Sequence, residues 1–232
     1  MDYAIIAAGE GSRLVEEGVR WPKPLVQLNG VALVDRLIDI FVRHEADSIS
    51  IIINEEMKEV QEYLKNIELP VPFFLLIKST PSSMHSFYEL SRHINSDQIC
   101  LTTVDTIFRE EEFGGYIQAF KNVKEIDGLM AVTDYIDDEK PLYVATDEDL
   151  SIRYFYDEAK ADVPFISGGI YCLRRKAIDV LEHTIAQGIS RMRNYQRALI
   201  DEGLRLKAYP FTKIIDVDHA EDISKAELFI KA

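Results

Sequence analysis

The sequence predicts one α/β domain over residues 1–232, with a doubly wound, mostly parallel mixed sheet and a small antiparallel excursion. Three observations predict this fold. Short apolar runs alternate along the chain with segments whose apolar residues recur at helical spacing. The apolar runs are nearly continuous, as in strands covered on both faces of a parallel sheet. The chain of 232 residues has no linker rich in proline, glycine or serine that would divide it.

Each predicted element has its own local pattern. Strands are predicted where apolar and β-branched residues dominate a short run, at 3–8, 48–53, 72–77, 98–104, 128–134, 165–173 and 205–210. Helices are predicted where apolar residues recur three and four positions apart, at 31–43, 55–66, 83–95, 110–121, 175–187, 190–202 and from about 220. Residues 143–146 and 152–156 form the predicted antiparallel excursion. The helix-free stretch 134–165 is predicted to be a lid or a binding lobe on the sheet.

The composition argues against several classes of protein. Lys and Arg total 26 while Asp and Glu total 40, which gives a net charge of −14. Nucleic acids and anionic membranes bind broad basic surfaces, so neither is an expected partner. Cys100 and Cys172 lie in apolar runs and are predicted to be small core residues. No signal peptide is readable and no apolar run is long enough to cross a bilayer, so we expect a cytoplasmic protein.

A glycine-containing loop follows the first predicted strand. Residues 7–14 read AAGEGSRL, and WPKPL follows shortly after. Gly9 and Gly11 allow the backbone to approach a ligand closely, and clustered backbone N–H groups bind phosphate oxygens. Arg13 offers a planar set of donors suited to phosphate, and Lys23 offers a compact positive charge. The pattern predicts a phosphate-binding loop with a basic residue at each end.

Two other phosphate-binding motifs fit the loop less well. A Walker-type loop ends in Gly-Lys-Ser/Thr, but Lys23 is followed by Pro24. A dinucleotide fingerprint has a third glycine where Leu14 stands, and it opens a long helix that Pro22 opposes. Glu55 could supply the acidic residue that this fingerprint needs near the second strand. A dinucleotide-dependent oxidoreductase therefore stays open as a rival.

The two segments resemble the signature of the nucleoside-triphosphate transferases, a family that includes sugar-1-phosphate nucleotidyltransferases and phosphocholine cytidylyltransferases. The family usually has glycine where this chain has Ala8. The resemblance implies a Rossmann-like fold of the nucleotide-diphospho-sugar transferase type, with a nucleotide-binding half over 1–125 and an acceptor-binding half over 126–232. It implies that Arg13 contacts the leaving pyrophosphate and that Lys23 contacts the reacting phosphates. The implied nucleotide-binding loop consists of Ala7, Ala8, Gly9, Gly11 and Ser12.

Nucleotidyl transfer needs charge neutralisation, which Mg²⁺ held by one or two carboxylates usually supplies. Asp105 ends the strand-like run LTTVD, where the resemblance places a metal-binding aspartate. Either Asp216 or Asp218 is the expected second ligand, and the sequence leaves the choice open. Asp218 has a competing role as the N-cap of the last helix, with Glu221 at capping-box spacing.

The resemblance also suggests residues for the base and the acceptor. Ser82 and Ser83 stand at the turn where the family contacts the base and ribose, although either serine also suits an N-cap. Gly168 and Gly169 interrupt a predicted strand, which indicates close approach of a ligand or another backbone. In the family this strand lies under the acceptor. Glu158 belongs to a charged run that either contacts the acceptor or is solvated.

The sequence therefore predicts a Mg²⁺-dependent nucleotidyltransferase that moves a nucleoside monophosphate from a nucleoside triphosphate to a phosphorylated small molecule, foremost a sugar 1-phosphate. The alternatives are a phosphocholine acceptor and a non-catalytic relative that senses nucleotides or sugar phosphates. A homodimer is one expected assembly, because relatives often dimerise. Arg191, Arg193 and Arg197 form a basic cluster, which is a solvated helix face or a contact for a partner subunit or a phosphate.

Overall fold

The computed structural model describes residues 1–137 and 139–231. The strands are, in chain order, β1 (Asp2–Ile6), β2 (Gln27–Leu28), β3 (Val31–Ala32), β4 (Ser48–Ile53), β5 (Phe73–Ile77), β6 (Gln98–Thr103), β7 (Thr106–Ile107), β8 (Gly128–Thr133), β9 (Tyr143–Thr146), β10 (Ile152–Tyr156), β11 (Phe165–Arg174), β12 (Leu206–Pro210) and β13 (Ile215–Asp216). The helices are α1 (Ser12–Glu16), α2 (Leu33–Arg43), α3 (Lys58–Lys65), α4 (Ser83–Ser91), α5 (Glu110–Asn122), α6 (Lys176–Ala186), α7 (Met192–Asp201) and α8 (Ala220–Lys231). A 3-10 helix spans Lys23–Leu25.

Nine of these strands form one mixed sheet. Its main path runs β10-β9-β11-β6-β1-β4-β5, while β8 pairs with both β11 and β12. β1 runs parallel to β4 and β6, β4 runs parallel to β5, and β8 runs parallel to β12. β11 is antiparallel to β6 and to β8, and β9 and β10 form the predicted antiparallel excursion. The predicted α/β class with a mostly parallel mixed sheet is confirmed.

Side chains alternate between two apolar cores on the two faces of the sheet. Tyr3 and Ile5 of β1 point into one core with α2, α3, α5 and α8. Ala4 and Ile6 point into the other, with α4, α6 and α7. Because both faces of β1 are covered, all of its residues are buried, which explains its continuous apolar sequence. Helices on both faces confirm the predicted double winding.

Cys100 and Cys172 lie opposite each other in the register of β6 and β11. Both thiols are buried and free, as predicted for small core residues. Among residues 1–137 and 139–231, no helix is long and apolar enough to cross a membrane.

Several short elements were not predicted. β2 and β3 form a hairpin whose turn, Asn29-Gly30, has positive φ at both residues. Asn-Gly is the usual sequence of such a turn, so the sequence did carry a signal for it. β13 pairs with β7, with Asp216 opposite Thr106. This pairing joins segments more than a hundred residues apart in the chain, and two-residue strands leave no periodicity to read.

Candidate functional site

The loop after β1 crosses the carboxyl edge of the sheet. It is anchored where it starts, because the Ala7 N–H donates to the Ile52 carbonyl at 2.9 Å. The buried Asn54 side chain holds the next residue, and its Nδ2 donates to the Ala8 carbonyl at 3.1 Å. Gly11, at φ +62°, adopts the left-handed conformation that favours glycine, and α1 starts directly after it. The carboxyl edge of a parallel sheet is the usual place for ligands in this type of fold.

The two glycines of the loop have different surroundings. A Cβ atom added at Gly9 would meet no atom within 4 Å, so this backbone borders open space. A Cβ atom added at Gly11 would lie 3.1 Å from the Lys23 Cβ. Gly11 therefore lets Lys23 pack closely against the loop, whereas Gly9 leaves room for a ligand.

Lys23 lies between two carboxylates. Its side chain is only 10% exposed, and its Nζ contacts the Asp105 carboxylate and, at 2.7 Å, Asp218 Oδ1. Asp105 lies two residues after the end of β6. Its carbonyl accepts a hydrogen bond of 3.1 Å from the Val217 N–H. This bond and the pairing of β13 with β7 bring the Asp218 segment to the end of β6. The structure thus brings together the predicted Lys23, Asp105 and Asp218.

The carboxylates keep Lys23 charged. Burial alone would lower the pKa of the Lys23 ammonium, but Asp105 and Asp218 hold that pKa above its ordinary value. One cation therefore already bridges the two acids. Two carboxylates that a single cation can reach, beside a loop suited to phosphate, form the donor set that a substrate-bound Mg²⁺ commonly uses. In the part of the chain that the structure describes, no group of three or more His, Cys, Asp or Glu side chains could hold a metal ion.

Asp218 also joins the second predicted cation to the site. Arg13 Nη1 donates to Asp218 Oδ2 at 3.2 Å, and Arg13 Nη2 lies 3.6 Å from Glu139 Oε2. The Arg13 side chain is about half exposed, at 49%. Arg13 and Lys23 therefore face one carboxylate from two sides.

Asp218 does not use its carboxylate as the predicted helix cap. The N–H groups of Asp218 and His219 donate to Asp222 Oδ2 at 3.2 and 2.8 Å. The Ala220 N–H, at the start of α8, donates to Glu17 Oε2 at 2.6 Å. Glu17 also binds His219 Nδ1 at 2.6 Å and raises the pKa of that imidazole. Two other carboxylates thus accept the hydrogen bonds of these amides, and the Asp218 carboxylate contacts Arg13 and Lys23 instead.

Two neighbouring cavities open at this edge of the sheet. The first, here called the loop cleft, has a volume of about 470 Å³. Its lining includes these predicted residues: Ala7, Ala8, Gly9, Gly11, Ser12, Arg13, Lys23, Ser82, Ser83, Asp105 and Asp218. The second, here called the adjoining cavity, has a volume of about 550 Å³. Arg13 and Asp218 line both, so the two cavities meet at these side chains.

The remaining predicted residues lie outside the loop cleft. Asp216 and Gly168 line the adjoining cavity and not the loop cleft. Gly169 has φ +73°, and a Cβ added there would lie 3.2 Å from Thr106 Oγ1, so backbone geometry accounts for this glycine. Glu158 is exposed in the bend after β10 and lines neither cavity. In the basic cluster, Arg193 Nη1 binds Asp157 at 2.6 Å.

Three hydroxyl-bearing residues of the loop cleft were not predicted from the sequence. Thr80 Oγ1 lies 2.6 Å from Ser86 Oγ, and Thr103 Oγ1 lies 2.7 Å from Thr106 Oγ1. Thr80, Ser86 and Thr103 all line the cleft. The available signal was positional, since Thr80 follows β5 and Thr103 ends β6, where ligands of parallel sheets bind. Ser82 is the residue directly before α4, and its Oγ lies 2.9 Å from His85 Nδ1.

Comparisons with known proteins show similarity to one family of domains. The family profile of the MobA-like NTP transferase domain matches residues 3–198. The bifunctional protein GlmU of Thermodesulfovibrio yellowstonii is 24% identical over 246 residues, which cover 100% of this chain and 52% of that protein. GlmU of Methanocaldococcus jannaschii is 25% identical over a match that includes 90% of this chain and 50% of that protein. The chain spans about half the length of the curated relatives it matches.

Solved structures share the fold. The inositol-1-phosphate CTP transferase from T. maritima superposes with a TM-score of 0.80 at 17% identity, over 99% of this chain and 97% of that one. A putative glucose-1-phosphate thymidylyltransferase from Bacillus anthracis superposes with a TM-score of 0.85 at 16% identity, over 99% and 94%. At these identities the likeness is one of fold.

Proposed function

The chain belongs to the MobA-like NTP transferase domain family, a family of nucleotidyltransferases, and from this premise we propose which reaction its cavities serve. The proposed reaction transfers a nucleoside monophosphate from a nucleoside triphosphate to a phosphomonoester acceptor, foremost a sugar 1-phosphate. The products are pyrophosphate and a nucleoside-diphosphate derivative of the acceptor.

One observation carries the proposal: Lys23 is held between Asp105 and Asp218 at the edge of the loop cleft. A buried lysine between two acids is fixed in position and stays charged. A positive charge fixed before the substrate arrives stabilises charge that develops on phosphate oxygens, and it needs no reorganisation during the reaction. Gly9 and Gly11 place backbone on the same cleft, where the triphosphate would lie.

The proposed step is an in-line substitution at the α-phosphorus. An oxygen of the acceptor phosphate forms a bond to the α-phosphorus, while the bond from this phosphorus to the oxygen bridging to the β-phosphorus breaks. The bridging oxygen keeps the electron pair and leaves with pyrophosphate. The attacking phosphate oxygen carries no proton that must be removed, so no general base is required. The protein acts through position and charge.

Asp105 and Asp218 are the proposed Mg²⁺ ligands. A bound Mg²⁺ would supply charge neutralisation to the phosphate oxygens. The carboxylates offer the hard oxygen atoms that this ion prefers, and Mg²⁺ commonly needs only one or two of them beside substrate phosphates. Lys23 would then contact the reacting phosphates, and Arg13 the leaving pyrophosphate.

The adjoining cavity is the proposed place of the acceptor. It meets the loop cleft at Arg13 and Asp218, so a molecule in it would have its phosphate next to the triphosphate. Gly168 and Asp216 line this cavity. The two solved neighbours are named for transfer to inositol 1-phosphate and to glucose 1-phosphate, which supports a sugar 1-phosphate as the acceptor here.

Pyrophosphate release tests the proposal. The protein is incubated with Mg²⁺, one of five nucleoside triphosphates, and one of a panel of sugar 1-phosphates or phosphocholine. We expect release that requires one nucleotide, one acceptor and Mg²⁺ together. Release without any acceptor, or binding of a nucleotide with no release for any acceptor, would contradict the transfer reaction and favour hydrolysis or sensing.

Gly9→Ala should weaken nucleotide binding without harming the fold. The added methyl meets no protein atom within 4 Å, so the free energy of unfolding should stay the same or rise by up to about 1 kcal/mol. The methyl would occupy space that the triphosphate needs, and we expect its Kd to rise at least about tenfold. Calorimetry with the nucleotide and chemical denaturation measure the two effects.

Gly11→Ala is the matched comparison for Gly9→Ala. Its left-handed φ of +62° and the Lys23 Cβ at 3.1 Å make this variant lose about 1 kcal/mol of stability or more. Unchanged nucleotide affinity in a stable Gly9→Ala protein would place the triphosphate elsewhere.

Asp218→Asn should lower kcat at least about tenfold, since a charge-assisted contact to Lys23 and Arg13 is lost. Asp216→Asn should lower kcat by less than about threefold, because Asp216 lines the adjoining cavity but not the loop cleft. Steady-state kinetics at saturating nucleotide and Mg²⁺ compare the two. A larger loss in Asp216→Asn would assign the second metal ligand to Asp216.

A further inference from the structure

A second cleft, at the opposite edge of the sheet, collects positive charge. Here called the basic cleft, it has a volume of about 420 Å³. Its lining contains six cationic side chains, those of Lys121, Lys124, Arg174, Arg175, Lys176 and Arg205. Asp97 and Asp127 are the acids that accompany them. Such an excess of positive charge is unusual on a chain whose net charge is −14.

The basic cleft lies far from the loop cleft in the fold. Gln98 begins β6 and lines the basic cleft, whereas Thr103 ends β6 and lines the loop cleft. β8 and β12 also begin at the edge where the basic cleft lies, next to Asp127 and Arg205. The two clefts therefore occupy opposite ends of the same strands, and the basic cleft is separate from the proposed reaction.

Two arginines of the basic cleft are fixed before any ligand arrives. Arg174 Nη2 donates to the Val123 carbonyl at 2.8 Å, and its guanidinium lies 4.4 Å from the centre of the Phe120 ring. Arg175 Nη1 donates to the Ile94 carbonyl at 2.8 Å. A guanidinium has five N–H donors, so each of these groups can hold its position and still donate to an anion. Such preorganisation lowers the entropy cost of binding.

The acid at the centre offsets only part of the charge. Asp127 lies 3.5 Å from Lys176 Nζ and 3.6 Å from Arg205 Nε, and it accepts the Arg205 N–H at 2.9 Å. Burial would raise the pKa of Asp127, but this amide and the two cations hold its pKa below the ordinary value. Asp127 therefore orders the cations around it, and the cleft as a whole stays positive.

We propose that the basic cleft binds an anion made of several linked phosphate groups. The 11-residue helix α6 begins at Lys176, so its positive end faces the same cleft. Fixed guanidinium groups bind phosphate oxygens in pairs, and several cations spread over one cleft match a chain of phosphates better than a single charge. This site does not depend on the proposed reaction, because it shares no residue with the loop cleft.

Inorganic triphosphate is the first probe. The full chain is titrated without divalent metal and followed by backbone amide shifts in ¹H–¹⁵N spectra and by calorimetry. We expect saturable shifts in residues 121–128 and 174–177. Shifts in the loop at 7–13 report binding at the proposed nucleotide site. The absence of binding at one site can therefore be distinguished from its absence at the other. An arm with ATP identifies the source: tighter binding than triphosphate indicates a nucleotide, and equal or weaker binding indicates the phosphate chain itself.

A pair of charge-matched variants completes the test. Arg175→Gln with Lys124→Gln removes two exposed cations from the cleft, and triphosphate binding at 121–128 should weaken at least about tenfold. Lys58→Gln with Lys65→Gln removes the same charge from the exposed face of α3 and should weaken it less than about twofold. Equal weakening by both pairs, or no shifts at 121–128 and 174–177 in the unmodified chain, would overturn the proposal. The amide shifts of the unmodified chain test the proposal even if a variant fails to fold.

Discussion

Lys23→Ala is expected to lower kcat at least about a hundredfold, the usual size of losing one preorganised electrostatic contact. The variant removes the positive charge that would face the reacting phosphates. It also leaves Asp105 and Asp218 next to each other with no lysine between them, so the site would repel the triphosphate. Initial rates of pyrophosphate release at saturating nucleotide measure the effect.

Lys207→Ala is the control for Lys23→Ala. Lys207 is also a lysine paired with an aspartate, since its Nζ lies 3.3 Å from Asp149 Oδ2, but it lines neither the loop cleft nor the adjoining cavity. The turnover of the Lys207→Ala variant should stay within about twofold of that of the unmodified protein. Turnover by Lys23→Ala within the same range would contradict a role for Lys23 in the reaction.

Asp105→Asn should also lower kcat at least about a hundredfold, and it should change the response to metal. The amide keeps the shape of the carboxylate and removes its charge, so the fold should be retained. Because Mg²⁺ depends on carboxylate oxygens, the variant should need a higher Mg²⁺ concentration for half-maximal rate. Rates measured across a Mg²⁺ series separate this metal effect from a general loss of activity.

Asp149→Asn is the control for Asp105→Asn, since Asp149 belongs to the lysine–aspartate pair outside both cavities. It should leave the Mg²⁺ dependence unchanged. An Asp105→Asn protein with a lower rate but the same Mg²⁺ dependence would indicate that Asp105 acts only by positioning Lys23. A normal rate would remove Asp105 from the site altogether.

Much of the fold could be predicted because its local patterns are strong. The strand predicted at 48–53 is β4, and the strand predicted at 72–77 differs from β5 by one residue. Such runs are buried on both faces, so burial and local preference agree. Helix ends were less accurate: the helix predicted at 55–66 spans Lys58–Lys65 in the structure. The preceding turn, in which the Asn54 side chain binds the N–H of Glu56 and Met57, delays the start of this helix.

The site could be predicted only where its residues follow a strand. Gly9 and Arg13 lie in the loop and the short helix that follow β1, and Asp105 lies two residues after β6. The fold places such positions at one edge of the sheet. The partner of Lys23 depends on a contact between distant segments, the pairing of β13 with β7, which no local pattern encodes. The choice between Asp216 and Asp218 therefore stayed open. Asp222 and Glu17 bind the amides at the start of α8, a role that capping patterns assigned to Asp218.

The distribution of charge separates this chain from a generally acidic protein. A net charge of −14 opposes phosphate ligands at long range, yet Arg13 and Lys23 line one cleft and six cations line another. Cations clustered in one cleft create a positive potential over short distances, while salt screens the more distant negative charges, so a cleft can attract an anion that the whole surface repels. Phosphate ligands should therefore bind at these two edges of the sheet.

The most direct test of the proposed transfer follows the phosphorus atoms. The acceptor and its nucleoside triphosphate are mixed with the protein and Mg²⁺ in two parallel reactions, one with ³²P at the α-position and one with ³²P at the γ-position. Attack at the α-phosphorus predicts that the α-label joins the acceptor and that the γ-label appears in pyrophosphate. Label from the γ-position in the acceptor, or in inorganic phosphate as the first product, would contradict nucleotidyl transfer at this site.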